Sequence, residues 1–257
     1  MLSRYGEMME VWFDGSLVVP VGDILQEYAP RAMIFQGKHA TIRWVGNESG
    51  VAPDPNWNAV PMDVAESGTS TAKDGDPRGD AWLPNECDAR IRAHWFWNSK
   101  NAATLKTVDQ LMEIYYASVG RGAVLLLNHT PDPTGRIPEA DARRAAEFGA
   151  EIKRRFGTPV VEASGRGSLL EIELGEPVRI DHVMIQEDIA GGQRVLEYVL
   201  EGMAGDEWKE LSRGTSVGYK KIDRFEPVRV SKIRFRCTES LALPLIKRFA
   251  VFDVGGR

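Results

Sequence analysis

Thr104-Leu-Lys-Thr-Val-Asp-Gln-Leu-Met-Glu-Ile-Tyr-Tyr-Ala-Ser-Val-Gly-Arg-Gly-Ala-Val-Leu-Leu-Leu127 is the stretch that decides the fold of the first half of the chain. Leu105, Val108, Leu111, Met112, Tyr115 and Val119 recur at three-to-four spacing behind Thr104, which can cap a helix, and Gly120 stands just past the end. The run that follows, Ala123 to Leu127, is apolar at every position, as a parallel strand covered on both faces requires. A helix leading into such a strand is the repeating unit of a parallel sheet with helices outside it.

The same grammar extends toward the N-terminus. Val11-Trp-Phe, Ala32-Met-Ile-Phe, Thr41-Ile-Arg-Trp-Val and His94-Trp-Phe-Trp read as further parallel strands. Gly50 to Pro84, rich in Pro, Gly, Asp and Ser, is too irregular for a core element, and long loops of this kind are usually functional or disordered. His129-Thr-Pro-Asp-Pro-Thr-Gly is turn chemistry, after which Pro138 opens a helix carrying Asp141, Ala145, Phe148, Ile152 and Phe156 on one stripe and stopping at Gly157.

Beyond Pro159 the period changes from 3.6 to 2. Leu170, Ile172 and Leu174 alternate with Glu171 and Glu173, and Leu196, Tyr198 and Leu200 alternate with Glu197, Val199 and Glu201. Val228 and Val230 fall out of phase with Ile233, Phe235 and Cys237, which predicts a bulge near Ser231 and Lys232. Strands separated by turns such as Gly191-Gly192 and Gly205-Asp206 indicate an antiparallel β-sandwich. The expected division is 1–128, a connecting turn and helix over 129–157, and a β-sandwich over 158–257.

At 257 residues and 43% hydrophobic composition the chain can bury one large core or two smaller ones. A net charge of -5 without a Lys/Arg cluster speaks against nucleic acid as a partner. Cys87 and Cys237 are too few and too far apart to form a disulfide framework. No run of roughly 18 apolar residues predicts a membrane helix, and the first residues lack the pattern of a signal peptide. His39, His94, His129 and His182 share no metal-ligand spacing, so neither a metal nor a cofactor is expected.

Two carboxylates follow apolar strand candidates: Asp14 in Trp12-Phe-Asp-Gly15, and Glu48 in Arg43-Trp-Val-Gly-Asn-Glu48. Acids at neighbouring strand ends are what glycoside hydrolysis uses, one attacking the anomeric carbon while the other protonates the departing oxygen. Glu48 among aromatics would be desolvated and able to act as general acid. Spacing alone also allows Asp14 to start a turn or cap a helix, and Glu48 to pair with Arg43 on a loop.

These segments occur in a particular order. Trp12-Phe-Asp-Gly, Ala32-Met-Ile-Phe and Arg43-Trp-Val-Gly-Asn-Glu-Ser-Gly are followed by Trp82-Leu-Pro-Asn-Glu-Cys-Asp, Trp95-Phe-Trp, Tyr115-Tyr-Ala-Ser-Val-Gly-Arg and Pro131-Asp-Pro-Thr-Gly-Arg-Ile. Over residues 4–157 the chain resembles family 29 glycoside hydrolases, the α-L-fucosidases, especially the branch acting on 1,3 and 1,4 linkages. The resemblance implies the C-terminal part of a TIM-like (β/α) barrel followed by the sandwich, an α/β plus all-β fold. It implies a retaining hydrolase for fucosylated oligosaccharides or glycoconjugates, with Asp14 as nucleophile and Glu48 as acid/base, their carboxyl groups about 5 to 5.5 Å apart. Trp12 and Arg43 look like pocket residues, and Trp57 and Trp95 are candidates for sugar stacking. It also implies an exported parent and a barrel portion ahead of Asp14 that this chain lacks. Such a half-barrel would be poorly active, prone to homo-oligomerise, or dependent on a separately encoded N-terminal barrel portion as partner; the alternative reading is an inactive carbohydrate-binding or structural remnant.

Overall fold

The computed structural model describes residues 2–15, 17 and 19–255. Met1 and Arg257, the outer bounds of the expected division, lie outside them.

Five parallel strands form the first layer: β1 (Glu10–Trp12), β2 (Met33–Phe35), β3 (Arg43–Trp44), β6 (Asn85–Arg90) and β7 (Val124–Asn128). β1 pairs with β2, a single parallel bridge from Phe35 to Ile42 leads into β3, and β6 lies between β3 and β7. Helix α1 (Gly22–Tyr28) connects β1 to β2. The segment after β3 holds a short antiparallel pair, β4 (Ala59–Val60) with β5 (Ala81–Trp82), and helix α2 (Met62–Ser67). Among the described residues β1 has only β2 as a neighbour, and β7 only β6, so the fan is open at both edges.

The fourth strand differs from the expected one. His94 to Trp97 is a bend segment, and the strand is Asn85–Arg90, which precedes it. Glu86 and Asp88 disguised that strand, because a strand that carries carboxylates into a barrel interior does not read as an apolar run. Helix α3 (Val108–Ala117) also starts later than expected. Thr107, not Thr104, caps it: the Thr107 hydroxyl accepts from the Gln110 backbone N–H while the Gln110 side chain accepts from that of Thr107.

Helix α4 (Glu139–Phe156) follows Pro138 and ends at Gly157, as its stripe predicts. Then comes one six-stranded antiparallel sheet folded on itself: β8 (Val161–Arg166), β9 (Leu169–Glu187), β10 (Val195–Ala204), β11 (Glu207–Thr215), β12 (Lys221–Ser240) and β13 (Leu245–Phe252). The spatial order is β11-β10-β12-β9-β13-β8. The β12–β9 register slips between Val230 and Lys232, where the phase of the apolar residues changes. Val183, Ile185, Tyr198, Phe235, Phe249 and Val251 fill the inside of this fold.

The other face of the sheet is also covered. Met184, Ile222, Ala250 and Phe252 join Phe148 and Phe156 of α4 and Leu111, Met112, Tyr115 and Tyr116 of α3 in one apolar cluster. α4 is therefore sandwiched between the barrel side and the sheet.

Candidate active site

The C-terminal ends of the five parallel strands meet at a cavity of about 730 Å³. β1 contributes Trp12 and, just beyond it, Asp14; β2 contributes Phe35 and Gln36; β3 contributes Trp44 and, beyond it, Glu48. From β6 come Asp88 and the following Trp95 and Phe96, and from β7 Leu126, with Asn128 and His129 at its end.

Local sequence explains how Glu48 reaches this place. Gly46 takes a φ of +94°, which an L side chain rarely adopts. The Asn47 carboxamide then ties the turn: its Oδ1 accepts from Ser49 N and Oγ, and its Nδ2 donates to Val51 O at 2.8 Å. Glu48 projects from that turn, and its Oε2 accepts the Trp95 indole N–H at 2.9 Å. Arg90 lies 4.0 Å from the same oxygen and stacks 5.2 Å from the Trp95 ring centroid. The apolar burial expected around Glu48 is not found, since its side chain is 53% exposed. Its cation is Arg90, not Arg43.

Trp12 and Trp44 are held in the same way as Trp95. The Trp12 indole donates to Glu86 Oε1 at 2.9 Å and stacks on Phe35 at 4.3 Å, and the Trp44 indole donates to Asp88 Oδ1 at 2.7 Å. Each tryptophan of the cavity wall is thus oriented by a carboxylate on another element. Burial, helped by Glu10 and opposed by the Trp12 hydrogen bond, pushes the Glu86 carboxyl up to about 8. Burial also raises Asp88 against the pull of Trp44, and lowers His129 against the pull of Asp141. Among the described residues no group of three or more His, Cys, Asp or Glu is placed to hold a metal ion, and no helix is long and apolar enough to cross a membrane.

Of the residues singled out in the sequence, Asp14, Glu48, Trp12 and Trp95 line this cavity; Arg43 and Trp57 do not. Neighbours on a strand face opposite ways, so with Trp44 turned to the cavity Arg43 turns from it. Arg43 is 1% exposed, donates to Asn85 Oδ1 at 2.8 Å and to the Trp57 carbonyl at 2.5 Å, and is pushed down to about 10 by burial. Trp57 contributes that carbonyl. Both belong to the scaffold behind the sheet. Sequence reading passed over Trp44, Glu86 and Asp88, whose signal was the two-residue alternation Glu86, Asp88 beside the motif Trp82-Leu-Pro-Asn.

The fold and site have known counterparts. A profile of the alpha-L-fucosidase family matches residues 1–155. The Arabidopsis thaliana protein alpha-L-fucosidase 1 is 30% identical over 88% of this chain, which covers 54% of that protein. A Bacteroides thetaiotaomicron structure described as a candidate alpha-L-fucosidase superposes with a TM-score of 0.92 at 35% identity, over 98% of this chain and 62% of its own. A Ruminococcus gnavus GH29 fucosidase solved in complex with fucose superposes with a TM-score of 0.82 at 27% identity, over 96% of this chain and 61% of its own. The chain thus spans just over half the length of the curated relatives it matches. With more than half of its residues matched by the family profile and its fold shared with solved members, the chain belongs to the alpha-L-fucosidase family of glycoside hydrolases.

Proposed function

We propose that this chain carries the two working carboxylates of a retaining α-L-fucosidase that removes terminal fucosyl residues, in 1,3 or 1,4 linkage, from oligosaccharides or glycoconjugates. The observation that carries the reading is the convergence of Asp14 and Glu48, from the ends of β1 and β3, on one indole-walled cavity. In the first step an Asp14 oxygen bonds to the anomeric carbon as the glycosidic C–O bond breaks, and the departing oxygen takes its proton from Glu48. In the second, Glu48 takes a proton from water, the water oxygen bonds to the same carbon, and Asp14 leaves as carboxylate. Two inversions return the original anomeric configuration. Trp12 and Trp95 offer flat apolar faces to the sugar ring, and Trp95 with Arg90 keeps Glu48 aimed inward.

The fucose complex of the Ruminococcus gnavus relative supports fucose as the sugar recognised. The test is release of nitrophenol from an aryl α-L-fucoside by the purified chain, with Asp14→Ala in parallel. Turnover lost in Asp14→Ala and restored by azide as a β-fucosyl azide is the expected result; an azide product of α configuration, or turnover unaffected by the substitution, contradicts the assignment. A second reading, carbohydrate binding without turnover, is favoured by the edges of β1 and β7 that are unpaired among the described residues and leave the cavity open-sided. Retention on a fucosylated glycan column with no release of fucose would select it.

A further inference from the structure

Beneath the cavity lies a second pair of acids that the proposed reaction does not use. Glu10 and Trp12 alternate onto the same face of β1, and both are directed to Glu86 on β6. Glu86 is 0% exposed. Its Oε1 accepts the Trp12 indole at 2.9 Å, while its Oε2 and the Oε1 of Glu10 are buried without a donor among the described residues. The two side chains are within hydrogen-bonding contact of each other.

Two ionised carboxylates so placed would repel one another and strand two desolvated acceptors, each of them costly. A single proton between them removes both penalties and creates a short, charge-assisted O–H···O bond. We propose that Glu10 and Glu86 share one proton across the floor of the cavity, and that this tie is a positioning device holding β1, with Trp12 and Asp14, against β6. β1 needs such a device, because among the described residues its three positions pair with β2 alone.

The surroundings support the shared proton. The titratable groups facing Glu86 are Glu10 from β1 and Asp88 on its own strand, and Asp88 is faced in turn by Glu48 and Arg90. Among the described residues no basic side chain forms an ion pair with Glu86 to substitute for the proton, and burial raises Glu86 far enough to keep it protonated at neutral pH. When the proton leaves, like charges push β1 from β6 and the Trp12 wall loosens. The link from this tie to sugar binding rests on the function proposed above; the tie itself does not.

The experiment follows the Trp12 indole N–H, assigned with Trp12→Phe, and the Glu86 carboxyl carbon by NMR from about pH 5 to 9.5, alongside titration with L-fucose. Both signals are expected to move together with a midpoint near 8. Glu10→Gln should lower that midpoint by about one unit or more, and the isosteric Glu86→Gln should abolish the pH response of Trp12. Affinity for L-fucose should fall by about fivefold or more above the midpoint in the unaltered chain and stay level in Glu86→Gln. A Trp12 signal that does not titrate, or a midpoint untouched by Glu10→Gln, overturns the tie even if L-fucose binds. If Glu86→Gln does not fold, Glu10→Gln decides alone. Coupled titration without L-fucose binding at any pH leaves the tie standing and removes the proposed function instead.

Discussion

Asp223 is a buried acid in the sandwich, 8% exposed, whose Oδ2 accepts the Tyr198 hydroxyl at 2.6 Å. Burial pushes it up from 3.8 to about 6, against the pull of Tyr198 and Lys221. A carboxyl raised in the folded state favours folding while both states are protonated, below about pH 4, and withdraws that support as pH rises past 6. The shift corresponds to roughly 3 kcal/mol. Asp223→Asn keeps an acceptor for Tyr198 and removes the charge, so its stability relative to the unaltered chain should improve by that order between about pH 4 and 7. Urea unfolding at the two pH values measures it; an unchanged difference would refute the assignment. Tyr198 is displaced in the same sense, its ionisation held far above the usual phenol range by burial and Asp223.

At the scale of elements, the Gly46–Val51 turn and the helix α4 make separable predictions. Asn47→Ala removes the bonds that shape the turn, and should lower turnover on an aryl fucoside by at least about tenfold while costing only about 1 to 2 kcal/mol of stability. An equal loss in an Asn47→Asp variant, which retains the acceptor, would show that Nδ2 rather than Oδ1 matters. α4 is anchored by Asp141, 0% exposed, which receives a bidentate pair from Arg92 at 2.6 to 2.9 Å. Asp141→Ala leaves a buried guanidinium unpaired and should cost about 3 to 5 kcal/mol, read from the denaturant midpoint. These elements also mark what sequence can reveal. α4, the other four strands of the fan and the slip in β12 were legible because each writes its period in apolar residues. β6 was not, since Glu86 and Asp88 break the apolar run that identifies a buried strand. Arg43 misled for a different reason: its partners Asn85 and Trp57 become neighbours only after folding, and a motif cannot say which way its arginine turns.

The whole molecule is held together by a polar seam as well as an apolar one. Asn58 N donates to Gln193 Oε1 at 3.2 Å, and Gln193 Nε2 donates to Asn56 O at 2.9 Å. Asn56 N donates to Ser216 Oγ, and Asn85 Nδ2 to Asn56 Oδ1, so β6 is joined through the 50–84 segment to the sandwich. The segment that looked like a loose loop is the mortar between the two halves. Gln193→Ala orphans two buried backbone groups and should cost about 2 to 4 kcal/mol, visible as a lower melting temperature. The open edges predict something else about the molecule. Trp12, Met33 and Val124 are 39, 38 and 44% exposed on β1, β2 and β7. Light scattering should find association that increases with concentration, and a strictly monodisperse monomer would contradict it. α4 adds a final consequence. Because its Phe148 and Phe156 belong to the same cluster as Tyr115 on one side and Phe252 on the other, neither half can shed the helix without opening the other. Calorimetry should therefore record one melting peak, and a protease meeting the native chain should find no seam at which to release a sandwich that survives by itself.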